Sequence, residues 1–146
     1  MGTPLVLMHM HGEPATMQEI EPSADIFAEI DSDLSSSIDV AVQLGVPREA
    51  IIIDPGIGFG KTLDQNLAII NHLERFSSFD RPLMIGTSRK TFIGRLTAKP
   101  ERDRIFGTAA SVAAAILRGA HLVRVHDVEG MVDVARVADA IASAED

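Results

Sequence analysis

At 146 residues the chain has the length of one domain, and 46% hydrophobic against 23% charged residues excludes a disordered polymer. A formal charge of −8, from 13 Lys+Arg and 21 Asp+Glu, argues against a nucleic-acid partner while leaving room for a local cationic cluster. With no cysteine there is no disulfide or thiolate metal site, and no apolar run approaches the ~18 residues of a membrane span.

The first predicted element is a strand over 4–9, almost continuously apolar through Leu5-Val6-Leu7-Met8. A helix follows over 25–44, with Ile26, Phe27, Ile30, Leu34, Ile38, Val42 and Leu44 at three- and four-residue steps. Gly45 and Pro47 stop it. A second strand spans 50–54, and Thr62 then caps a helix over 63–76 that buries Leu67, Ile70, Leu73 and Phe76. The third strand is 82–86, followed directly by a short helix over 88–96 and an Ala-rich one over 103–117 that ends at Gly119. A fourth strand over 121–126 leads into a helix over 130–142, with Val134, Val137 and Ile141 inward. Continuously apolar strands alternating with helices imply a parallel sheet covered by right-handed crossovers. Four such units fit half of an eight-stranded barrel or an open doubly wound sheet equally well. In the half barrel, Leu5, Leu7, Ile52, Met84 and Val123 are expected on an uncovered inner face.

Polar and glycine-rich residues gather at every strand's C-terminal end: His9–Gly12, Asp54–Lys61, Gly86–Thr91 and Arg124–Asp127. Parallel α/β folds bind ligands on that face. Asp54 ends an apolar strand, so its carboxylate suits an amidine-like edge, although a turn or cap would use the same residue type. The Gly56–Gly60 run permits close backbone approach but fits neither standard phosphate-loop spacing. Phe59, between two glycines, is read as a pocket wall. Arg89 and Lys90, with Ser88 and Thr91, form a cationic group at an expected helix N-terminus. Arg124 and His126 face the same way and suit a diphosphate, whereas Asp127 is read as a helix cap. His9 and His11 share that two-residue spacing, but no further clustered ligands accompany them, and no metal is assigned to this chain. His72 and His121 are read as structural or solvent-facing.

LMHMHGEPATMQ, DPGIGFGKT, GTSRKTFIGRL and RVHDV, in this order and spacing, resemble the dihydropteroate synthase family of bacteria. The likeness covers essentially the whole chain. It implies a (β/α)8 TIM barrel of which these segments are strands five to eight, the C-terminal half. The family condenses 6-hydroxymethyl-7,8-dihydropterin diphosphate with p-aminobenzoate in folate biosynthesis, and is a sulfonamide target. The resemblance assigns Asp54 to the amino-pyrimidinone edge of the pterin and Lys90 to its carbonyl and ring nitrogen. Met8 and Phe59 become apolar walls, and Gly86 a close backbone approach. Arg89 and Thr91 position the p-aminobenzoate, and Thr91 stands where the family most often has Ser. Arg124 and His126 take the diphosphate, with Lys90, Arg124 and His126 as the catalytic group. His11 stands where Gln or a basic residue is common.

The resemblance further implies a cytoplasmic homodimer acting on small molecules, with neither nucleic acid nor membrane as partner. The start Met1-Gly2-Thr3, without a basic leader, agrees with that location. Mg²⁺ is the expected cofactor, on an Asn in an N-terminal half that has no counterpart here. That half would also bring another Asp and Asn for the pterin and two closing loops, so the isolated chain is expected to be inactive. Two other readings compete. A pterin-dependent methyltransferase has a similar barrel but no need of the SRK-T and RVHDV cations, and a non-catalytic half-barrel module would only fold, dimerise or bind weakly.

Overall fold

The computed structural model describes residues 3–13, 17 and 20–144. In chain order the elements are β1 (Leu5–Met8), α1 (Ile26–Gln43), β2 (Ile51–Asp54), α2 (Leu63–Asn71), β3 (Met84–Ile85), α3 (Thr91–Thr97), α4 (Ile105–Leu117), β4 (Leu122–Val123) and α5 (Val128–Ala142). β1 pairs parallel with β2, Met8 opposite Asp54, and β3 pairs parallel with β4, Met84 opposite Leu122. A parallel bridge from Ile53 to Leu83 joins the two pairs. The strands therefore lie side by side in chain order, as an α/β alternation requires. Among the described residues, no strand pairs with the far edge of β1 or β4.

α1 starts where the Asp25 carboxylate accepts the Ala28 N–H at 3.1 Å. Its apolar stripe, Ile26, Ile30, Leu34 and Ile38, is buried. It shares the core with Ile51 and Ile53 of β2. Burying such a side chain is worth about 1.5–3 kcal/mol, so this contact is a main source of stability. Gly45 at φ 91 ends the helix, with the Val46 N–H donating to the Ala41 carbonyl at 3.0 Å. α2 opens with a capping box between Thr62 and Gln65. It stops at Asn71, and a 3₁₀ turn over Leu73–Phe79 keeps Leu73 and Phe76 in the core.

The structure corrects several expectations. Leu67 is exposed, and α2 buries Asn66, Ile69 and Ile70, because Asn66 turns inward to bond the Gly-rich loop. α5 packs chiefly on α4 and buries Met131 and Ala138, which leaves Val137 (61% exposed) and Ile141 outward and Val134 half-buried. The helix expected from Ser88 begins only at Thr91, after a turn with Arg89 at φ 57.

The inner face is also shifted by one residue on two strands. Leu5 and Leu7 line a recess with Val40 and Leu44 of α1, and Val123 lies against Val128 and Met131 of α5. These three face helices. Alternation then turns Val6, Met8, Ile52, Met84 and Leu122 to the opposite side, with Asp54 and Arg124 in the same rows. Ile52 and Met84 are there as expected. Val6, Met8 and Leu122 remain more than a third exposed, so the apolar part of the inner face is not fully covered among the described residues. No helix among the described residues is long and apolar enough to cross a membrane.

Candidate functional site

A cleft of about 560 Å³ opens where the turns after β2, β3 and β4 meet. Eight of the singled-out residues line it: Phe59 from the first turn, Gly86, Ser88, Arg89, Lys90 and Thr91 from the second, Arg124 and His126 from the third. Asp54, 2% exposed, ends β2 beside it, with Met8 its register partner on β1. A recess of similar size, about 530 Å³, lies at the other ends of the strands among Leu73, Phe76, Leu83, Leu117 and His121. The Asp54 end gathers the residues singled out in the sequence, whereas Glu74, Arg81 and Arg118 at the other end were not among them.

The loop after β2 is shaped by what it lies against. A Cβ at Gly56 (φ 70) would stand 1.8 Å from the His9 carbonyl oxygen, and one at Gly60 (φ 67) 2.1 Å from that of His11. The loop therefore rests directly on the continuation of β1, and the His9 N–H donates to the Asp54 carbonyl at 3.0 Å. Asn66 accepts the Gly58 N–H at 2.6 Å and donates to the Lys61 and Thr62 carbonyls. The result presents the Phe59 ring, with the Lys90 ammonium 4.0 Å from its centroid.

Burial pushes the Asp54 carboxyl up from the usual carboxylate range. Opposing this are the Gly56 N–H, donating to Oδ1 at 2.8 Å, and the positive charges of Arg124, Lys90 and Lys61. Burial, then repulsion from Arg124, pushes Lys90 down, while Asp54 pulls it back. A buried carboxylate beside a partly desolvated lysine is a place where a ligand of complementary charge can bind.

The turn after β3 is fixed by residues that the sequence reading missed. Thr108 Oγ1 accepts the Arg89 N–H at 3.1 Å, and Ser111 donates to Thr87 Oγ1 at 2.9 Å. The Arg104 guanidinium donates to the carbonyls of Arg89 (2.9 Å), Lys90 (3.2 Å) and Lys99 (3.0 Å). It fits because residue 94 is glycine: a Cβ there would stand 2.3 Å from Arg104 Nη2. Thr108 and Ser111 lie three apart on the buried face of an Ala-rich helix, and polar residues on a buried stripe were the available signal.

Asp127 precedes α5, but its side chain makes no capping bond. Its carboxylate pairs with Arg89, which holds it below the usual carboxylate range. Ser88 Oγ accepts the His126 N–H at 3.2 Å and lies 2.9 Å from His126 Nδ1. Gly86 leaves room for Arg124, whose Nη2 would be 3.3 Å from a Cβ at that position.

His9 and His11 lie outside this cleft. His9 Nε2 and His11 Nδ1 meet one oxygen of Glu29, at 3.1 and 2.7 Å. His11 Nε2 donates to the Glu21 carbonyl at 2.9 Å. Burial acts to raise Glu29, but bonds from Ser23, His11 and His9 outweigh it and bring it down to about 2. His72 is exposed beside Glu74, while His121 accepts the Leu83 N–H at 3.2 Å. Among the described residues no group of three or more His, Asp or Glu is placed to hold a metal ion.

The sequence pattern of pterin binding enzymes matches residues 1–126. The dihydropteroate synthase of Synechocystis sp. PCC 6803 is 43% identical over 139 residues, covering 94% of this chain and 48% of that protein. A crystal structure of the Yersinia pestis dihydropteroate synthase with a sulfonamide drug complex superposes with a TM-score of 0.94 at 35% identity, covering 97% of this chain and 52% of that one. The Xanthomonas albilineans dihydropteroate synthase in complex with 7,8-dihydropteroate gives a TM-score of 0.86 at 37% identity, over 97% and 52%. The chain spans about half the length of these relatives. With a matching fold, a cleft at the expected strand ends and a family pattern running through 126 of its 146 residues, the chain belongs to the family of pterin binding enzymes.

Proposed function

We propose that residues 1–146 are the C-terminal half of a dihydropteroate synthase, a partial pterin-binding domain made of strands five to eight of an eight-stranded (β/α) barrel. The two open sheet edges, the incompletely covered inner face and the half-length match to relatives support this. The substrates in this reading are 6-hydroxymethyl-7,8-dihydropterin diphosphate and p-aminobenzoate. The relative that holds 7,8-dihydropteroate carries the corresponding product. The observation that carries the proposal is the convergence of Lys90, Arg124 and His126 on one cleft beside the buried carboxylate of Asp54.

The arylamine lone pair attacks the pterin methylene carbon, the C–O bond breaks, and its electrons pass to the departing diphosphate; the amine proton goes to solvent. Asp54 accepts paired bonds from the amino-pyrimidinone edge, and Lys90 donates to the pterin carbonyl and ring nitrogen. Met8 and Phe59 are walls, and Gly86 gives close approach. Arg89 and Thr91 orient p-aminobenzoate. Arg124 and His126 meet the charge that grows on the leaving group, where fixed polar groups are most effective. Mg²⁺ would be held by residues of the other half. A cytoplasmic homodimer is part of the same proposal, supported by apolar side chains left outward on α4 and α5, including Phe106 at 86% exposure.

The test is the synthase assay on a full-length protein carrying this segment. Lys90→Ala and Arg124→Ala should each lower kcat/KM by ~10²–10³, the cost of one electrostatic group. Lys90→Ala should act through both substrates, Arg124→Ala through the diphosphate. The isolated chain should show almost no turnover, because orientation supplies about 7–11 kcal/mol of such a barrier and half the orienting groups are elsewhere. Unchanged kinetics in both variants would overturn the assignment.

A further inference from the structure

Lys61 is a partly buried cation to which the proposed chemistry gives no role. Its ammonium donates to the Gly56 carbonyl at 2.9 Å and the Phe59 carbonyl at 3.2 Å. Both belong to the turn that carries the Phe59 ring. Lys90 touches the same loop from the cleft side, with its ammonium over Phe59 and its Cδ 3.3 Å from where a Gly58 Cβ would be. The loop is thus held between two lysines, one inside the cleft and one behind it.

Lys61 does not line the cleft itself. The charges around it are Asp54 from β2, Glu29 and Asp33 from α1, and Lys90. Its charge also reaches His9 and His11. A bare loop tie would not need a cation in such a position, since the carbonyls of a Gly-rich turn can be bonded by neutral groups. Asn66 does this on the other side of the same loop.

We propose that Lys61 is a positioning residue of the cleft, tying the Gly56–Phe59 turn from behind so that the Phe59 ring is presented to Lys90, and adding a positive charge behind Asp54. Burial lowers Lys61 to about 8, so its charge is itself sensitive to the surroundings. Among the groups that favour the ionised form of Asp54 against burial, Arg124 and Lys90 line the cleft, whereas Lys61 lies behind the turn. This inference rests on the pterin-site reading above and adds a residue to it.

The experiment uses a full-length protein carrying this segment, with Lys61→Met and Lys61→Arg. Lys61→Met should raise KM for both substrates by roughly 10- to 100-fold, the scale of an ångström-level misplacement, with a smaller fall in kcat. It should also shift the acid limb of pterin affinity, measured by calorimetry across pH, to higher pH, because Asp54 loses a cation that holds its carboxyl down. Lys61→Arg keeps the charge and should leave that limb in place. If Lys61→Met does not fold, Lys61→Gln replaces it under the same criteria. An unmoved acid limb with unchanged KM would overturn the proposal. A raised KM with an unmoved limb would overturn the charge role, and wild-type protein without synthase activity would instead defeat the reading on which it rests.

Discussion

Arg89 grips Asp127 with two bonds, Nε to Oδ2 at 3.2 Å and Nη2 to Oδ1 at 2.6 Å. The pair joins the turn after β3 to the start of α5 at the mouth of the cleft. It explains how Arg89, in a left-handed conformation that non-glycine residues rarely take, is kept in one place. Asp127→Asn should free the guanidinium and raise KM for p-aminobenzoate several-fold. The melting temperature should move little, since ion pairs that stay partly open to solvent contribute little. Steady-state kinetics beside thermal unfolding decide it: a large loss of stability with normal KM would make the pair structural.

Asp54→Asn is expected to separate binding from stability. The amide cannot accept two charge-assisted bonds, and a bond to a charged group is worth roughly 1.5–3 kcal/mol, so pterin affinity should fall strongly. The folded carboxyl titrates above its ordinary 3.8, so its ionisation works against the fold. The native state binds more protons than the unfolded state in that window, and stability falls as pH rises through it. Removing the charge should leave the variant at least as stable at neutral pH, which urea unfolding will show. A clear destabilisation at pH 7 would contradict this.

The two histidines at Glu29 should respond to acid in opposite senses. The Glu29 bond, then that of Glu21, raises His11 above 6.5, so its contribution is complete below 6.5 and fades as pH rises through the higher folded value. Burial, then Lys61, lowers His9, so protonating it on acidification costs stability. The depressed Glu29 stabilises above 4.5 and loses this as pH falls toward about 2. His11→Asn should therefore lower the melting temperature more at pH 5.5–6.5 than at pH 8.5. Equal losses at both would rule out the ion pair as the cause.

The chain alone is expected to self-associate. Both sheet edges are open, the inner face carries Val6, Met8 and Leu122, and α4 and α5 turn Phe106, Val137 and Ile141 outward. Unpaired strands and large apolar patches recruit partners. Light scattering at micromolar concentration should give a mass above that of one chain; a compact monomer would contradict the expectation.

The parallel α/β order was legible because the four apolar runs and the helical stripe of α1 have different periods. Phe59, Lys90 and Arg124 could be placed at one site because each follows directly from a strand end. The inner face was not, because on β1 every residue from Leu5 to Met8 is apolar. A run without alternation gives no phase, and only the pairing of Met8 with Asp54 sets it. Arg104 was invisible for another reason. It acts through backbone carbonyls of residues 89, 90 and 99, and carbonyls carry no sequence signature. Asp127 looked like a cap because its position is one, while its partner lies far away in sequence.

The fit of the Arg104 guanidinium over Gly94 restricts how this cleft can change by mutation. A side chain at residue 94 must push Arg104 away, and with it go the bonds that hold the Arg89 and Lys90 carbonyls. Shortening Arg104 first makes the space but releases the same two carbonyls. Each single step therefore disturbs the bonds to the Arg89 and Lys90 carbonyls, and a paired change that also supplies a new donor would keep them. The two positions are coupled epistatically, so variation around Lys90 is expected to arise at cleft-lining side chains rather than at Gly94 or Arg104.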